Sequence, residues 1–461
     1  MNLLNFMKNI SLSNSINKVS NMLPERLAIS SSLDEIYYHD LARLIPRSIG
    51  KSVILYFYDI TKLISTMVLL DGYVETLCPI SEQIDDDDLK HIILQKKFDV
   101  VITDIPLVNL DLFIKYKISI YTFDKLNLNI NKKDELFQKQ TKWLVPTSGT
   151  TSKPKLVQHT ISSLTASAVS SKVEKREIEV WGLFYDPTRY AGYQVLFKSL
   201  LNGHTLVAPS LSKSIADRVQ VCIDKKVTHI SATPTLWRKI LMCPLAKKMA
   251  LKKIVLGGEA ADQPTLDALR KMYPKSKITH VYASTEAGAA MSVSDGLAGF
   301  PIFFLDNNDA KIKMKIEDNH LYLKSTAAAS SYIGQEKFQN SDGWINTGDL
   351  VTKNNDRFFV IGRANGVINI GGDKVFPEKV RHILLELKEV EDVFIYGKKN
   401  PFTGMLLVAD IKISSDTDHK SAEQLIKNFI KESIPVTHQP KIIRIVNEIE
   451  TNSTGKVGLR R

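Results

Sequence analysis

Cysteine is scarce: Cys78, Cys222 and Cys243 are the only three in 461 residues, and no two form a CxxC pair. Neither a disulfide framework nor a zinc site is therefore expected, and a reducing cytoplasmic setting fits. Long apolar runs are missing too. The most apolar stretch, 53–70, carries Asp59 and Lys62, so it reads as a buried strand followed by a helix and not as a membrane span. Lys8 and the polar run 11–20 break up the N-terminus, and no signal peptide is expected. The net charge is +11, yet no basic run interleaves with aromatics, which argues against a nucleic-acid partner. Part of that charge follows from a Lys-, Ile- and Asn-rich composition; the rest suits phosphorylated ligands. There is no GxxxxGK[ST] loop, no internal repeat and no low-complexity tract.

What remains is the composition of a globular enzyme, 44% hydrophobic and 24% charged, long enough for one large and one small domain. Strand-like segments at 53–58, 99–103 and 118–123 alternate with a helix over 60–70, and the acidic run 85–88 reads as a helix start or solvated turn. The same rhythm continues with strands at 180–184, 205–207, 228–232 and 253–256 and helices at 160–172, 192–201, 214–225 and 235–242. Residues 310–324 alternate as antiparallel strands do. A Gly- and Asn-rich stretch, 362–372, then precedes helices at 377–387 and 422–433 and strands at 392–396 and 405–413. The fold class is thus α/β, a large N-terminal domain of wound α/β subdomains plus β-structure and a small α+β C-terminal domain. The boundaries expected are 1–363 and 364–461. The first twenty residues carry no structural expectation.

Five short motifs carry the chemistry. Thr147, Ser148, Gly149, Thr150, Thr151, Ser152, Lys153, Pro154 and Lys155 follow the apolar 143–146, which reads as a strand end. Hydroxyls without bulk, a glycine that turns tightly and two cations suit a polyphosphate. Tyr282, Thr285 and Glu286 follow a strand-like run at 277–281, and a hydroxyl and carboxylate beside phosphates suit magnesium. Asp349, after the turn glycine Gly348, can accept from vicinal ribose hydroxyls. Arg363 opens the fourth motif, with Asn365 and Asn369 behind it and Gly371 and Gly372 allowing a close approach to the backbone. Lys456, after Gly455, forms the fifth.

In this order and at these spacings, the five motifs resemble those of the adenylate-forming enzymes: acyl- and aryl-CoA synthetases, adenylation domains of peptide synthetases, and luciferases. The resemblance covers about residues 140–461, while the first part is matched by α/β rhythm alone. Ser152 and Leu156 stand where the family's loop carries glycine, Ala283 replaces a glycine, Asn365 takes the hinge position of an Asp or Lys, and Asn369 replaces a frequent Lys. The resemblance implies a mobile C-terminal lid with its hinge near Asn365, and ATP, Mg2+ and CoA, or a carrier phosphopantetheine, as cofactors. It assigns Thr147, Ser148, Gly149, Thr150, Thr151, Lys153 and Lys155 to phosphate, Tyr282 to adenine, Thr285 to phosphate, Glu286 to the metal, Asp349 to ribose, and Arg363 to ribose or phosphate. Lys456 becomes the catalytic cation of adenylation together with Glu286 and Thr147. Gly258 and Glu259 join the nucleotide site, and Gly372 the pantetheine path. Tyr185, Tyr190, Gly192, Gly257 and Gly288 line the acyl pocket on the same comparison, and Tyr185-Asp186 is similar to the Phe-Asp of amino-acid-activating members.

Three functions follow as expectations. The first is an AMP-forming ligase that joins a carboxylic acid to the thiol of CoA. The second is a stand-alone adenylation enzyme that loads an acyl or amino acid onto a carrier protein. The third is a non-catalytic adenylate-binding protein. No membrane span is expected in any of them.

Overall fold

The structure, a computed structural model, describes residues 11–31, 34–44, 51–105, 110–123, 140–147, 153–168, 177–306, 312–325, 328–329, 331–333, 340, 342–370, 373–401, 404–414 and 418–449. Ser148, Gly149, Thr150, Thr151, Gly372 and Lys456 lie outside these residues, as do Ser152 and Gly371.

Two wound sheets form the body. Ser52–Tyr56 is apolar on both faces because it runs parallel between Thr76–Ile80 and Val100–Thr103. Its alternation divides the side chains: Val53 and Leu55 enter one core, Ile54 and Tyr56 the core behind the sheet. This sheet has seven strands among the described residues, and Lys142–Pro146 is one of its inner members. A second sheet, of eight strands among the described residues, contains Val180–Leu183, Thr205–Ala208, His229–Ala232, Lys253–Gly257 and Lys277–Ser284. The helices Ile60–Leu70 and Tyr190–Leu200 share the core that joins the two sheets, and for that reason both are buried nearly all round. Helices Ile215–Asp224, Pro234–Leu241 and Gln263–Met272 cover the far face of the second sheet.

A five-stranded antiparallel sheet holds Ile312–Glu317, His320–Ser325, Ile345–Asn354 and Arg357–Arg363. The C-terminal part has its own core, built from Pro377–Leu384 and His419–Ser433 against the strands Val390–Asn400, Gly404–Ile413 and Ile442–Ile445.

Helix Ile60–Leu70 falls where the pattern predicts it, capped by Asp59, whose carboxylate accepts from the N–H groups of Thr61 and Lys62. The acidic run starts a helix: Asp85 caps Asp86–Gln95, and three aspartates occupy its first turn. Two expectations need correction. The helix expected over 160–172 is Ile161–Thr165 and gives way to turn at 166–168, while 169–172 lie outside the described residues. The strand expected to end at 281 continues to Ser284, because it pairs antiparallel with Gly288–Val293 and shifts register between Tyr282 and Ala283.

Leu12–Met22, in the stretch without an expectation, is a helix capped by Ser11. It docks through Asp71, a residue 1% exposed, which accepts from the Leu12 N–H at 2.6 Å and the Trp143 indole N–H at 2.7 Å. Burial raises the Asp71 pKa to about 6, against the opposing pull of these two hydrogen bonds. A raised acid favours the folded state below its unfolded pKa and loses that contribution as pH rises through the folded one. Stability should therefore fall between about pH 4 and 6.5 by up to ~3 kcal/mol from this group. Asp71→Asn is expected to flatten that slope, read as urea midpoints across the range; an unaltered slope would assign the pH dependence elsewhere.

Candidate nucleotide and acyl site

The parallel strands of the second sheet end on one side, where residues past their C-termini gather, as in other open α/β sheets. The phosphate-loop candidate springs from the other sheet. Its base is closed: Thr147 N–H donates to Lys155 O at 2.9 Å, and the Thr147 hydroxyl donates to the same carbonyl at 3.1 Å. Gln95 clamps the far arm, donating to Pro154 O at 2.8 Å and accepting from Leu156 N–H at 3.2 Å. Arg189 donates to Pro146 O at 2.7 Å from the acyl side. Lys153 is exposed, while the Lys155 ammonium lies 4.9 Å from the centre of the Tyr332 ring.

Three expected residues meet in a clamp. The Tyr282 hydroxyl donates to one oxygen of Asp349, and Arg363 Nε lies 3.1 Å from the other. Asp349 and Arg363 are cross-strand partners in the five-stranded sheet, so the antiparallel register builds this clamp. Burial raises the Tyr282 hydroxyl well above its usual pKa, and the Asp349 charge adds to the effect. Arg363 remains a cation: burial opposes its charge, but Asp349 and then Glu286 outweigh it. A carboxylate oxygen can accept more than one hydrogen bond, and vicinal ribose hydroxyls are donors of the kind it takes.

Glu286 sits in the short loop after Ser284, held by the Tyr332 hydroxyl, which donates to it at 2.9 Å. His159 positions the neighbouring Thr285. Its Nε2 faces Thr285 O at 2.8 Å and its Nδ1 faces Ser163 Oγ at 2.9 Å. Burial lowers this imidazole to a pKa of about 4, so at neutral pH it is uncharged, with Nε2 carrying the proton that the carbonyl requires. Among the described residues no cluster of three His, Cys, Asp or Glu side chains is arranged to hold a metal by itself. A single carboxylate, Glu286, nonetheless fits Mg2+, a cation that proteins bind through one or two carboxylates while substrate phosphates complete the octahedron.

On the acyl side, Tyr185 is buried and donates to Gly257 O at 3.0 Å. Tyr190 packs 5.8 Å from the His159 ring, centre to centre. Gly192 faces the chain's own turn, where a Cβ would stand 2.1 Å from Asp186 O, so the residue serves close helix packing. Gly258 and Gly288 both have positive φ, 84° and 89°, at the two bends flanking this wall. Glu259 accepts from Thr235 N–H at 3.0 Å. Asp186, 2% exposed, accepts from the Thr188 N–H and hydroxyl, and its other oxygen faces Arg189 Nε at 3.9 Å.

The sequence reading did not single out His159, Tyr332 or Gln95. Each acts on a motif far along the chain, and a lone His, Tyr or Gln carries no local signature of such a role.

A wound α/β body in which a strand leads into a hydroxyl-rich sequence, and which carries a Tyr–Asp–Arg clamp, suits a mononucleotide-binding protein. The chain belongs to the AMP-binding enzyme family: that family's profile matches residues 73–319, and the profile of the AMP-binding enzyme C-terminal domain matches 379–456. It is similar to the 2-succinylbenzoate–CoA ligase of Bacillus subtilis, 28% identical over 353 residues that cover 69% of this chain and 70% of that protein. The corresponding enzyme of Bacillus pumilus is 26% identical over 375 residues, 75% of this chain and 74% of that protein. Among solved structures, o-succinylbenzoate coenzyme A synthetase from Bacillus subtilis in complex with ATP and magnesium superposes with a TM-score of 0.77 at 21% identity, covering 96% of this chain and 98% of that one. ATP-bound MatB from Rhodopseudomonas palustris gives 0.79 at 15% identity, covering 97% of each. These likenesses fix the fold. Among the described residues no helix is long and apolar enough to cross a membrane.

Proposed function

We propose that this chain is an AMP-forming acid–thiol ligase. It activates a carboxylic acid with ATP to an acyl-adenylate and pyrophosphate, then passes the acyl group to the thiol of CoA. The observation that carries this reading is the Tyr282–Asp349–Arg363 clamp in one site with Glu286 and His159-held Thr285. In the first half, a carboxylate oxygen forms a bond to the α-phosphorus of ATP and the bond to pyrophosphate breaks. In the second, the thiol sulfur attacks the acyl carbon and AMP leaves.

Positioning and charge neutralisation dominate such displacements, so the protein's share lies in holding atoms. Asp349 would accept from ribose, Arg363 would supply positive charge beside it, and the loop donors of residues 147–155 would meet the phosphates. Glu286 would hold Mg2+, whose chemistry is to offset phosphate charge, and Thr285 and Thr147 would meet the phosphates. Lys456 would bridge the acid and the α-phosphate. Domains 1–363 and 364–461, hinged near Asn365, would let the small one exchange Lys456 for the 371–373 segment between halves. A cytoplasmic setting belongs to this reading, and the three thiols are buried and unbridged.

Asp186 speaks against an amino-acid substrate. One oxygen of its carboxylate accepts from Thr188, and the other lies 3.9 Å from the half-buried Arg189 guanidinium, which would repel a substrate ammonium. A carrier protein in place of CoA remains the second acceptor to offer.

Pyrophosphate release measured with ATP–Mg2+ and a panel of acids headed by 2-succinylbenzoate tests the reading. Turnover with at least one acyl or aryl acid is expected, none with amino acids, and the thioester should form when CoA is added. A silent panel from a protein that also fails to bind AMP in titration calorimetry would sink the proposal. Product only with a phosphopantetheinylated carrier would replace CoA as the acceptor.

A further inference from the structure

The small domain sits on the large one through buried charge. Asp262 of the large domain lies 2.8 Å from Arg238 Nη1, and Arg238 Nη2 lies 3.5 Å from Asp392 Oδ1 of the small domain. The same Asp392 oxygen is 2.9 Å from Arg381 Nη2, and Arg381 reaches back across the boundary to donate to Thr235 Oγ1 at 3.1 Å. Charges thus alternate from one domain into the other. Arg381, Asp392, Arg238 and Asp262 are 4%, 5%, 9% and 8% exposed, and Thr235 is wholly buried. Thr235 is also the residue whose N–H donates to Glu259 on the wall of the site. Arg381 remains charged because the carboxylates of Glu378 and Asp392 outweigh its burial.

An apolar seam would be the stronger glue. Buried ion pairs add little net stability, since desolvation cancels most of their attraction, but they fix register and penalise an unpaired partner heavily. At an interface that must open, they have another property: separated, each group regains water. Such a seam specifies one seating without making it permanent.

The C-terminal tail indicates which seating this is. Ile449, 4% exposed, lies with Asn447 and Glu448 against Arg238, Lys239 and Met242, around a cavity of about 320 Å³. The tail therefore leaves the small domain beside the very arginine that touches Thr235. Lys456 lies seven positions beyond Ile449, a reach of up to about 25 Å. The hairpin Ile368–Ile370 and Asp373–Val375, by contrast, exposes Asp373 and Lys374 to solvent.

We propose that Asp262, Arg238, Asp392 and Arg381 form an interdomain clasp that holds the small domain in the adenylate-forming orientation, with Arg381 and Asp392 acting as positioning residues. The inference rests on the two-step ligase reading above, but the clasp itself is tested without substrate. Asp392→Asn removes the one carboxylate that Arg238 and Arg381 share across the boundary, leaving Arg238 to Asp262 on one side and Arg381 to Glu378 on the other. The distance between spin labels at Lys213→Cys and Lys431→Cys reads the lid's orientation. Both positions are exposed, and the native thiols are buried.

Asp392→Asn should shift or broaden that distance distribution. It should slow acid-dependent pyrophosphate exchange about tenfold and leave thioester formation from a preformed acyl-adenylate within about twofold of wild type. Lys412→Gln, which changes the same interface outside the clasp, should alter neither. If Asp392→Asn does not fold, Asp392→Glu displaces the charge by one methylene and should give the same shift at smaller size. An unchanged label distance would overturn the clasp whatever the enzyme's activity. Equal loss of both half-reactions, or selective loss of thioester formation, would overturn its assignment to adenylation. A wild type inactive in both half-reactions would instead count against the ligase reading, leaving the label distances to decide the clasp.

Discussion

Lys456→Ala is expected to slow adenylate formation about 10²–10³-fold, while thioester formation from a preformed acyl-adenylate proceeds near the wild-type rate. The reason is where charge develops. As the acid's oxygen approaches the α-phosphorus, negative charge accumulates on the phosphoryl oxygens, and an ammonium held there acts only on that step. A preorganised cation in a site shielded from water supplies about 3–4 kcal/mol of such stabilisation. The second half needs a path for the thiol and not this cation. Single-turnover assays of each half with purified acyl-adenylate separate the two. Should neither half change, the assignment of Lys456 would be wrong; should both fall alike, the residue would matter to the lid as a whole and not to the chemistry.

On the proposed ribose role, Asp349→Ala should cost about 10²–10⁴-fold in kcat/KM for ATP, mainly through KM, because two charge-assisted hydrogen bonds to ribose hydroxyls would be lost at about 1.5–3 kcal/mol each. Such bonds would form in ground and transition states alike, and loss of uniform binding raises KM more than it lowers kcat. The substitution also strips the Tyr282 hydroxyl and Arg363 of their shared acceptor. Asp349→Asn is the gentler companion: it keeps one carbonyl acceptor and the packing, and AMP binding by calorimetry should weaken less than in the alanine variant. Unchanged AMP affinity in both variants would remove Asp349 from the nucleotide site.

Much of the scaffold was legible from periodicity. The helix Ile60–Leu70 and the strand Val180–Leu183 fall where apolar spacing and capping residues place them, since those signals act within one or two turns. The extension of Lys277–Ser284 beyond the expected strand end was not legible, because its partner Gly288–Val293 pulls a polar stretch into the ladder and overrides local preference. The brevity of Ile161–Thr165 was missed for a similar reason: nothing in the run 160–172 marks the end of the helix.

The sequence by itself determined which chemical groups are present and in what order: the hydroxyl-rich loop, Glu286, Asp349, Arg363 and Lys456, with the fold class that their α/β setting implies. Short motifs survive as strings because each needs several specific atoms on adjacent residues. The tertiary structure alone decided who holds them. His159 meets the Thr285 carbonyl across 126 positions of chain, Tyr332 meets Glu286 across 46, and Asp392 finds Arg238 across a domain boundary. Such pairings depend on how whole sheets and domains pack, and a single histidine, tyrosine or aspartate leaves no trace of them in its neighbours.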